Sequence, residues 1–294
     1  MDDTDQLATQ FESHRGHLRS VAYRMLGSFT EADDAVQETW LRTSRTDVSG
    51  VENLGGWLTT VLARVCLNLL RSRRTRGEQE LDETHVPDPV VRQVDVADPE
   101  SEAELGESVG LAMLVVLDTL KPTERLAFVL HDIFAVPFDD IAEIIESTPA
   151  SARQLASRAR RRVQDAPAPD TDLRLQREAV EAFFAAAHDG DFEALVAVLD
   201  PDVVLRADGG AKRASATTLI RGGVKLASSA ITFADGAAHA QPAVVNGQAG
   251  AVIGRSGRPL SVMSFVVRDG RIAEINVLAD PERLNTLDLS PWLG

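Results

Sequence analysis

Residues 120–163 constrain this chain more than any other stretch, because apolar spacing, caps and charge read there as three short helices ending in a basic one. Pro122 suits a first helical position, and Leu126, Val129, Leu130, Ile133 and Phe134 recur as one apolar helical stripe. A second helix opens near Asp139 and Asp140, whose carboxylates suit the partial positive charge of a helix start, and turns Ile141, Ile144 and Ile145 inward. Glu146 and Ser147 make the next turn. Thr148 caps a third helix with Pro149 at its first position, and Ala152, Leu155, Ala156, Ala159 and Val163 form its buried face. The other face carries Ser151, Arg153, Gln154, Ser157, Arg158 and Arg161.

Between residues 147 and 164 there are five arginines and no acid, in a chain whose net charge is −15. That contrast points to a polyanion. A helix-turn-helix inserts the start of its last helix into the major groove, where Arg and Gln read base edges and later arginines hold phosphates. A solvated helix packed on two others is the alternative that spacing alone leaves open.

The length of 294 residues suits two or three domains, and 44% hydrophobic content is ample for real cores. No apolar run approaches the roughly 20 residues that cross a bilayer, and the acidic N-terminus lacks a signal-peptide pattern, so cytoplasmic residence and no membrane contact are expected. Cys66, the only cysteine, falls on an apolar helical face and reads as a buried structural thiol. Six histidines without metal-ligand spacing predict no zinc site, and no cofactor is expected. Naked DNA repels so acidic a protein, so any DNA binding must rest on local basic faces or on a partner that supplies affinity.

Taken in order, Leu7, Phe11, His14, Leu18, Val21, Ala22, Met25 and Leu26 fit an amphipathic helix that Gly27 ends. Thr30 to Asp33 matches a capping box, after which Ala32, Ala35, Val36, Thr39 and Trp40 face inward and Asp34, Gln37, Glu38 and Leu41 line the opposite face. Trp57, Leu58, Val61, Leu62, Val65, Cys66, Leu69 and Leu70 then mark a buried helical face, and Thr60, Arg64, Asn68 and Arg71 fall along its polar side. Arg73, Arg74 and Arg76 extend a charge suited to phosphate, or merely to the helix macrodipole.

Residues 78–104 change character: many acids, Arg92 as the only Lys or Arg, and Pro87, Pro89 and Pro99 breaking any helix, which predicts an extended acidic linker. This divides the chain into 1–77, the linker 78–104, 105–165, a short linker 166–171, and 172–294. In the last part Val180, Phe183, Phe184 and Ala187 form a helical stripe ending at Gly190, and Asp191 caps a short helix with Phe192, Leu195, Val196 and Leu199. Strands follow from Val203, with hairpin turns at Asn246-Gly247 and Asp269-Gly270, predicting an α+β domain with a curved antiparallel sheet and room for a cavity.

Two motif sets now resemble a known family. Ala22-Tyr23-Arg24-Met25-Leu26-Gly27-Ser28 and Asp33-Asp34-Ala35-Val36-Gln37-Glu38-Thr39-Trp40-Leu41-Arg42 are similar to region 2 of bacterial extracytoplasmic-function sigma factors, as is the stretch from Trp57-Leu58 to Arg71. Residues 120–163, with Ala156-Ser157-Arg158-Ala159-Arg160, resemble sigma region 4. The tail resembles a SnoaL-like cone domain found in a sigma subgroup: Asp208-Gly209-Gly210-Ala211-Lys212 is similar to its Asp-Gly-Gly-Gly-Lys motif and Asp280-Pro281-Glu282-Arg283-Leu284 to its Asn-Pro-Asp-Lys-Leu motif. Val86-Pro87-Asp88-Pro89 matches the Trp-Leu-Pro-Glu-Pro of that subgroup's linker in part.

The resemblance implies two all-α sigma domains followed by an α+β cone domain. It implies that Asp34, Gln37, Glu38 and Leu41 dock on the clamp coiled coil of the largest subunit of core RNA polymerase, with the flap as a further contact. Thr60, Arg64, Asn68, Arg71 and Arg74 would meet the melting downstream promoter element, and Ser151, Arg153, Gln154, Ser157, Arg158 and Arg161 the upstream one. Pro87, Asp88, Pro89, Asp208, Gly209, Gly210, Lys212, Asp280, Pro281, Arg283 and Leu284 would form a regulatory contact through which the tail modulates activity within one chain. Relatives of the cone fold use a carboxylate base, for which Asp202, Asp208, Asp235 and His239 are the candidates, but Tyr23 is the only tyrosine and lies outside the tail, so no enzyme is expected. An operator-binding regulator that uses only the helix-turn-helix, and a tail that retains small-molecule binding or isomerase or cyclase activity, are the competing readings.

Overall fold

Three helices open the chain: α1 (Asp3–Leu26), α2 (Phe29–Thr43) and α3 (Leu54–Thr75). The computed structural model describes residues 3–75, 84–94, 111–165 and 170–293. The chain divides into two compact units, Met1–Leu81 with Val116–Ala166, and Asp82–Val115 with Pro167–Gly294.

In the first unit Gly27 ends α1 in the left-handed region at φ +74, where a side chain would be strained. The capping box expected at Thr30 does not form. Tyr23 stacks on Phe29 at 4.4 Å, α2 starts earlier behind Ser28, and Asp33 instead takes Arg19 in a two-pronged pair of 2.7 and 3.2 Å. The buried face of α3 also differs from the expected one: Ala63 and Leu67 are buried, whereas Leu69 is 37% exposed. The reason is that α3 packs against α1 and α2 and also against the later helices of the same unit, so its buried arc is wider and rotated toward Leu67.

The later helices are α4 (Leu111–Asp118), at whose Val116 the chain re-enters this unit, α5 (Pro122–Phe128) and α6 (Phe138–Ile144), which meet α3, and α7 (Pro149–Asp165). A π-helical turn, Val129–Ile133, continues α5 and displaces Ile133 and Phe134 from the expected stripe, leaving both half-buried. Pro122 stands at the start of α5, and Thr148 accepts the Ser151 N–H at 3.2 Å to cap α7, as expected. Ala152, Ala156 and Ala159 are fully buried, but Leu155 and Val163 only partly, so α7 seats by its alanine stripe. Arg125 is buried among these elements: its guanidinium donates to the Arg24 carbonyl at 3.2 and 3.1 Å and pairs with Asp118. Cys66 is buried as expected, and burial pushes its thiol up to about 12.

The second unit holds α8 (Leu173–Asp189), α9 (Phe192–Val198), α10 (Gly223–Thr232), α11 (Ala234–Ala237) and α12 (Pro281–Leu284) around a seven-stranded sheet. Its strands are β1 (Val91–Arg92), β2 (Leu199–Asp208), β3 (Thr218–Arg221), β4 (Ala240–Val245), β5 (Gln248–Arg255), β6 (Arg258–Arg268) and β7 (Arg271–Leu278), in the order β1-β4-β5-β6-β7-β2-β3. The sheet is mixed rather than purely antiparallel. β2 and β7 run parallel, because the chain crosses through α10 and the three hairpin-linked strands before returning beside β2. Asn246-Gly247 and Asp269-Gly270 turn with positive φ at both residues, as expected, and Ser256-Gly257 adds a third such turn that the sequence reading passed over.

The sheet's inner face packs Phe265, Val267 and Ile275 against Ala179, Val180 and Phe183 of α8. Phe183, Phe184 and Phe265 meet edge to face at 5.5 to 5.7 Å on the inner side of the sheet. Gln176, buried in α8, donates to the Asp170 carbonyl at 2.6 Å and accepts the Ala249 N–H at 2.9 Å, which fixes α8 to β5.

Candidate nucleic-acid interface

On α7 the alanine stripe faces inward, so the opposite face necessarily carries the arginines. Arg153, Gln154, Arg158 and Arg161 are exposed, with Ser151 and Ser157 half-buried beside them. Two arginines of the cluster serve the fold instead: Arg160 pairs with Asp132 at 2.5 Å and Arg162 with Glu124 at 3.3 Å. The Arg153 guanidinium lies 5.5 Å from the ring centre of Phe138, which stacks on His131 at 3.7 Å. This column was not foreseen. Phe138 carries a sequence signal all the same, an aromatic at the head of a short helix whose inward positions are already filled by isoleucines.

On α2, Asp34, Gln37, Glu38 and Leu41 fall on one face at helical spacing, Glu38 half-buried and paired with Arg42 at 2.7 Å, and Leu41 40% exposed. Acid, amide and an unburied leucine together suit a protein partner better than DNA. On α3, Arg64, Asn68 and Arg71 are exposed along one face, and Thr60 donates its hydroxyl to the Gly56 carbonyl at 3.1 Å. Arg73 turns back to the Leu26 carbonyl and to Glu31, so it braces α3. The side chain of Arg74 lies outside the described residues, as does Arg76.

In the second unit residues 84–94 of the linker are part of the fold. Val86, Pro87, Asp88 and Pro89 are all buried, and Val91–Arg92 adds to the sheet as an edge strand, pairing with Val245 and Val244. Asn246 exchanges hydrogen bonds with Val90 on both sides, each 2.8 Å. Arg283 is the centre of the contact. Its Nε donates to Asp88 at 2.6 Å, Nη1 to Asp208 at 2.7 Å and Nη2 to the Val86 carbonyl at 2.5 Å. Asp208 also accepts the Val86 N–H at 3.2 Å and lies 3.2 Å from His85. Burial alone would raise the Asp208 carboxyl; the His85 hydrogen bond, the charges of Arg283 and His85 and the Val86 N–H outweigh it and hold it down to about 2.

The two glycines beside Asp208 are dictated by this geometry. Gly210 has φ +64 and a side chain there would strike the Asp280 carboxylate, while one at Gly209 would strike the Arg213 carbonyl. Asp280 caps α12 by accepting the Glu282 N–H at 2.9 Å, Pro281 takes the first helical position, and Leu284 anchors the helix in the core. That short helix is what aims Arg283. Lys212 reaches Glu282 at 2.6 Å, but both are exposed, so this pair adds little. His85 and Asn246 were missing from the expected contact: His85 acts through its ring on Asp208 but carries no motif of its own, and Asn246 was legible only as a turn former.

Asp202 and Asp208 stand six residues apart on β2, at most about 20 Å at roughly 3.3 Å per residue. Asp208 is engaged with Arg283, and a carboxyl held so low is a poor proton acceptor near neutrality. His239 is exposed, and the side chain of Asp235 lies outside the described residues. Among the described residues no helix is long and apolar enough to cross a membrane.

Two family models match the helical part, Sigma-70 region 2 over residues 10–76 and Sigma-70, region 4 over residues 111–163. The chain is 38% identical to the ECF RNA polymerase sigma factor SigJ of Mycobacterium tuberculosis over 292 residues, covering 94% of this chain and 92% of that protein. It is 34% identical to the probable ECF RNA polymerase sigma factor SigI of the same organism, covering 98% of each. The crystal structure of the M. tuberculosis factor SigJ superposes with a TM-score of 0.74 at 35% identity, over 96% of this chain and 99% of that one. Basic recognition helix, region 2 helices and sheet-bearing tail thus occur together in full-length relatives, and the chain belongs to the extracytoplasmic-function RNA polymerase sigma factors, which direct transcription initiation at promoters.

Proposed function

We propose that this sigma factor divides its work among three surfaces and is modulated in cis by its sheet-bearing tail. The α2 face of Asp34, Gln37, Glu38 and Leu41 docks on core polymerase. Thr60, Arg64, Asn68, Arg71 and Arg74 meet the downstream promoter element, and Ser151, Arg153, Gln154, Ser157, Arg158 and Arg161 the upstream one. The tail acts by holding the linker. The observation that carries this reading is the three-way grip of Arg283 on Asp88, Asp208 and the Val86 carbonyl, since the only covalent tether between the two sigma regions is thereby built into the tail's own fold. Asp208-Gly209-Gly210 with Lys212, and Asp280-Pro281 with Arg283 and Leu284, are in this account one device for Pro87, Asp88 and Pro89.

The docking surface is tested by Asp34→Ala combined with Glu38→Ala. Binding of the full chain to core polymerase should weaken about tenfold or more, a loss of roughly 1.4 kcal/mol, with thermal melting unchanged because both side chains face away from the core. Undiminished binding would move the docking surface elsewhere.

Promoter reading has its own expected outcome. Phe138 orients Arg153, so Phe138→Ala should weaken recognition of the upstream element, with a loss of about 0.5 to 1 kcal/mol for a stacked guanidinium at an exposed site. Competition between matched and mismatched upstream duplexes in polymerase-bound complexes measures it. Equal discrimination by Phe138→Ala and the unaltered chain would remove Phe138 from this role.

A further inference from the structure

The room that the phenylalanine cluster leaves under the sheet is a cavity of about 170 Å³ between α8 and the β4–β5 hairpin. Val180 and Phe184 wall it on the helix side, and small residues, Ala240 and Ala243 among them, on the strand side. Arg177 and Glu181 are its charged groups, one helical turn apart on α8. The Arg177 Nε is buried and has no hydrogen-bond partner among the described residues. A guanidinium stays charged under all ordinary conditions, and a buried donor without an acceptor costs about 1 to 3 kcal/mol. Glu181, four residues on, is exposed, and no ion pair between it and Arg177 relieves that cost.

We propose that this cavity is a binding site for a small apolar monocarboxylate. A carboxylate matches the planar fork of a guanidinium with two parallel hydrogen bonds, and Arg177 stands in the cavity's lining to donate them. The apolar walls take the body of the ligand and keep water from competing for the charge. Size limits the body to that of a single ring, because the volume lies below the roughly 300 to 1,000 Å³ of sites for drug-sized ligands. Charge limits it as well: the site holds one cation with an acid at its rim, which disfavours dianions such as phosphate. β4, one wall of the cavity, is also the strand to which the linker adds, so an occupant sits one strand away from Val91 and Arg92. The site stands on its own geometry and does not depend on the regulatory reading of Arg283.

The test uses the full chain and 4-fluorobenzoate, followed by fluorine NMR line broadening, with benzoate, benzamide, acetate and inorganic phosphate as competitors. Saturable binding in the millimolar range or tighter is expected, displaced by benzoate but not by benzamide or phosphate, and only feebly by acetate, which lacks the ring. Arg177→Gln should lose at least tenfold in affinity, Ala240→Leu should reduce binding by filling the rim, and Glu181→Gln should retain or improve it. Thermal melting of each variant shows that the tail is still folded. No saturable binding to the unaltered chain, displacement by benzamide as effective as by benzoate, or undiminished affinity in a folded Arg177→Gln chain would each overturn the proposal.

Discussion

Replacing Arg283 by alanine releases the linker from the tail. Asp88 and Asp208 are nearly inaccessible to solvent, and one guanidinium binds both, with His85 also beside Asp208. Without it two carboxylates are left buried beside each other, and breaking a buried pair in this way costs roughly 3 to 5 kcal/mol, far more than edge pairing of two residues can offset. Hydrogen exchange at the amides of Val86, Val90 and Asn246 should therefore accelerate by two orders of magnitude or more, while amides of β5 to β7 stay protected. Arg283→Lys, which keeps the charge but gathers its donors on one nitrogen instead of spreading them over three, should fall between. The unaltered contact should also be lost in acid. The Asp208 carboxyl is held at about 2 against 3.8 for the free group, so its contribution is complete above roughly pH 4 and vanishes as pH falls through 2. In Arg283→Ala the carboxyl loses its main cation and the same loss begins at higher pH. Linker amides equally protected with and without Arg283 would contradict the grip described above.

The second large effect lies in the helical unit. Arg125→Ala should open the seam between α5 and the end of α1, because the guanidinium satisfies the Arg24 carbonyl in the last turn of α1, where no further helical N–H is available, and also pairs with Asp118. A cation there complements the helix dipole too. The loss of about 3 kcal/mol or more has a built-in reporter, for Cys66 is fully buried with its thiol pushed up to about 12 and reacts only when the packing opens. Maleimide labelling of Cys66 under native conditions should accelerate on the order of a hundredfold in the variant. Labelling at the rate of the unaltered chain would show that the seam does not depend on Arg125.

The helix-turn-helix was legible because caps and spacing agreed there: Pro122, Thr148 and the alanine stripe of α7 stand where local chemistry puts them. The hairpins at Asn246-Gly247 and Asp269-Gly270 were legible for the same reason, since few other residue pairs tolerate two positive φ values in succession. What failed was nonlocal. The π turn after α5 and the exposure of Leu69 depend on which helices meet, and the parallel pairing of β2 with β7 depends on the return path of the chain. The charged faces of α2, α3 and α7 could be read as helical arcs, but their roles came from resemblance. That Arg160, Arg162 and Arg73 serve the fold was invisible, because their partners are 28, 38 and 42 or more residues away in sequence. The grip of Arg283 joins residues nearly 200 positions apart, and only motif similarity pointed to it.

The most direct test of the central claim, that the tail controls a sigma factor through its hold on the linker, is run-off transcription from a cognate promoter with core polymerase. The full chain is compared with Arg283→Ala and Asp88→Asn, with core binding measured in parallel. The account predicts initiation that requires the chain, and a several-fold change in its rate in both variants at equal occupancy of core. Identical initiation by all three chains, with the linker shown by hydrogen exchange to be released in the variants, would mean that the contact holds the fold together and regulates nothing.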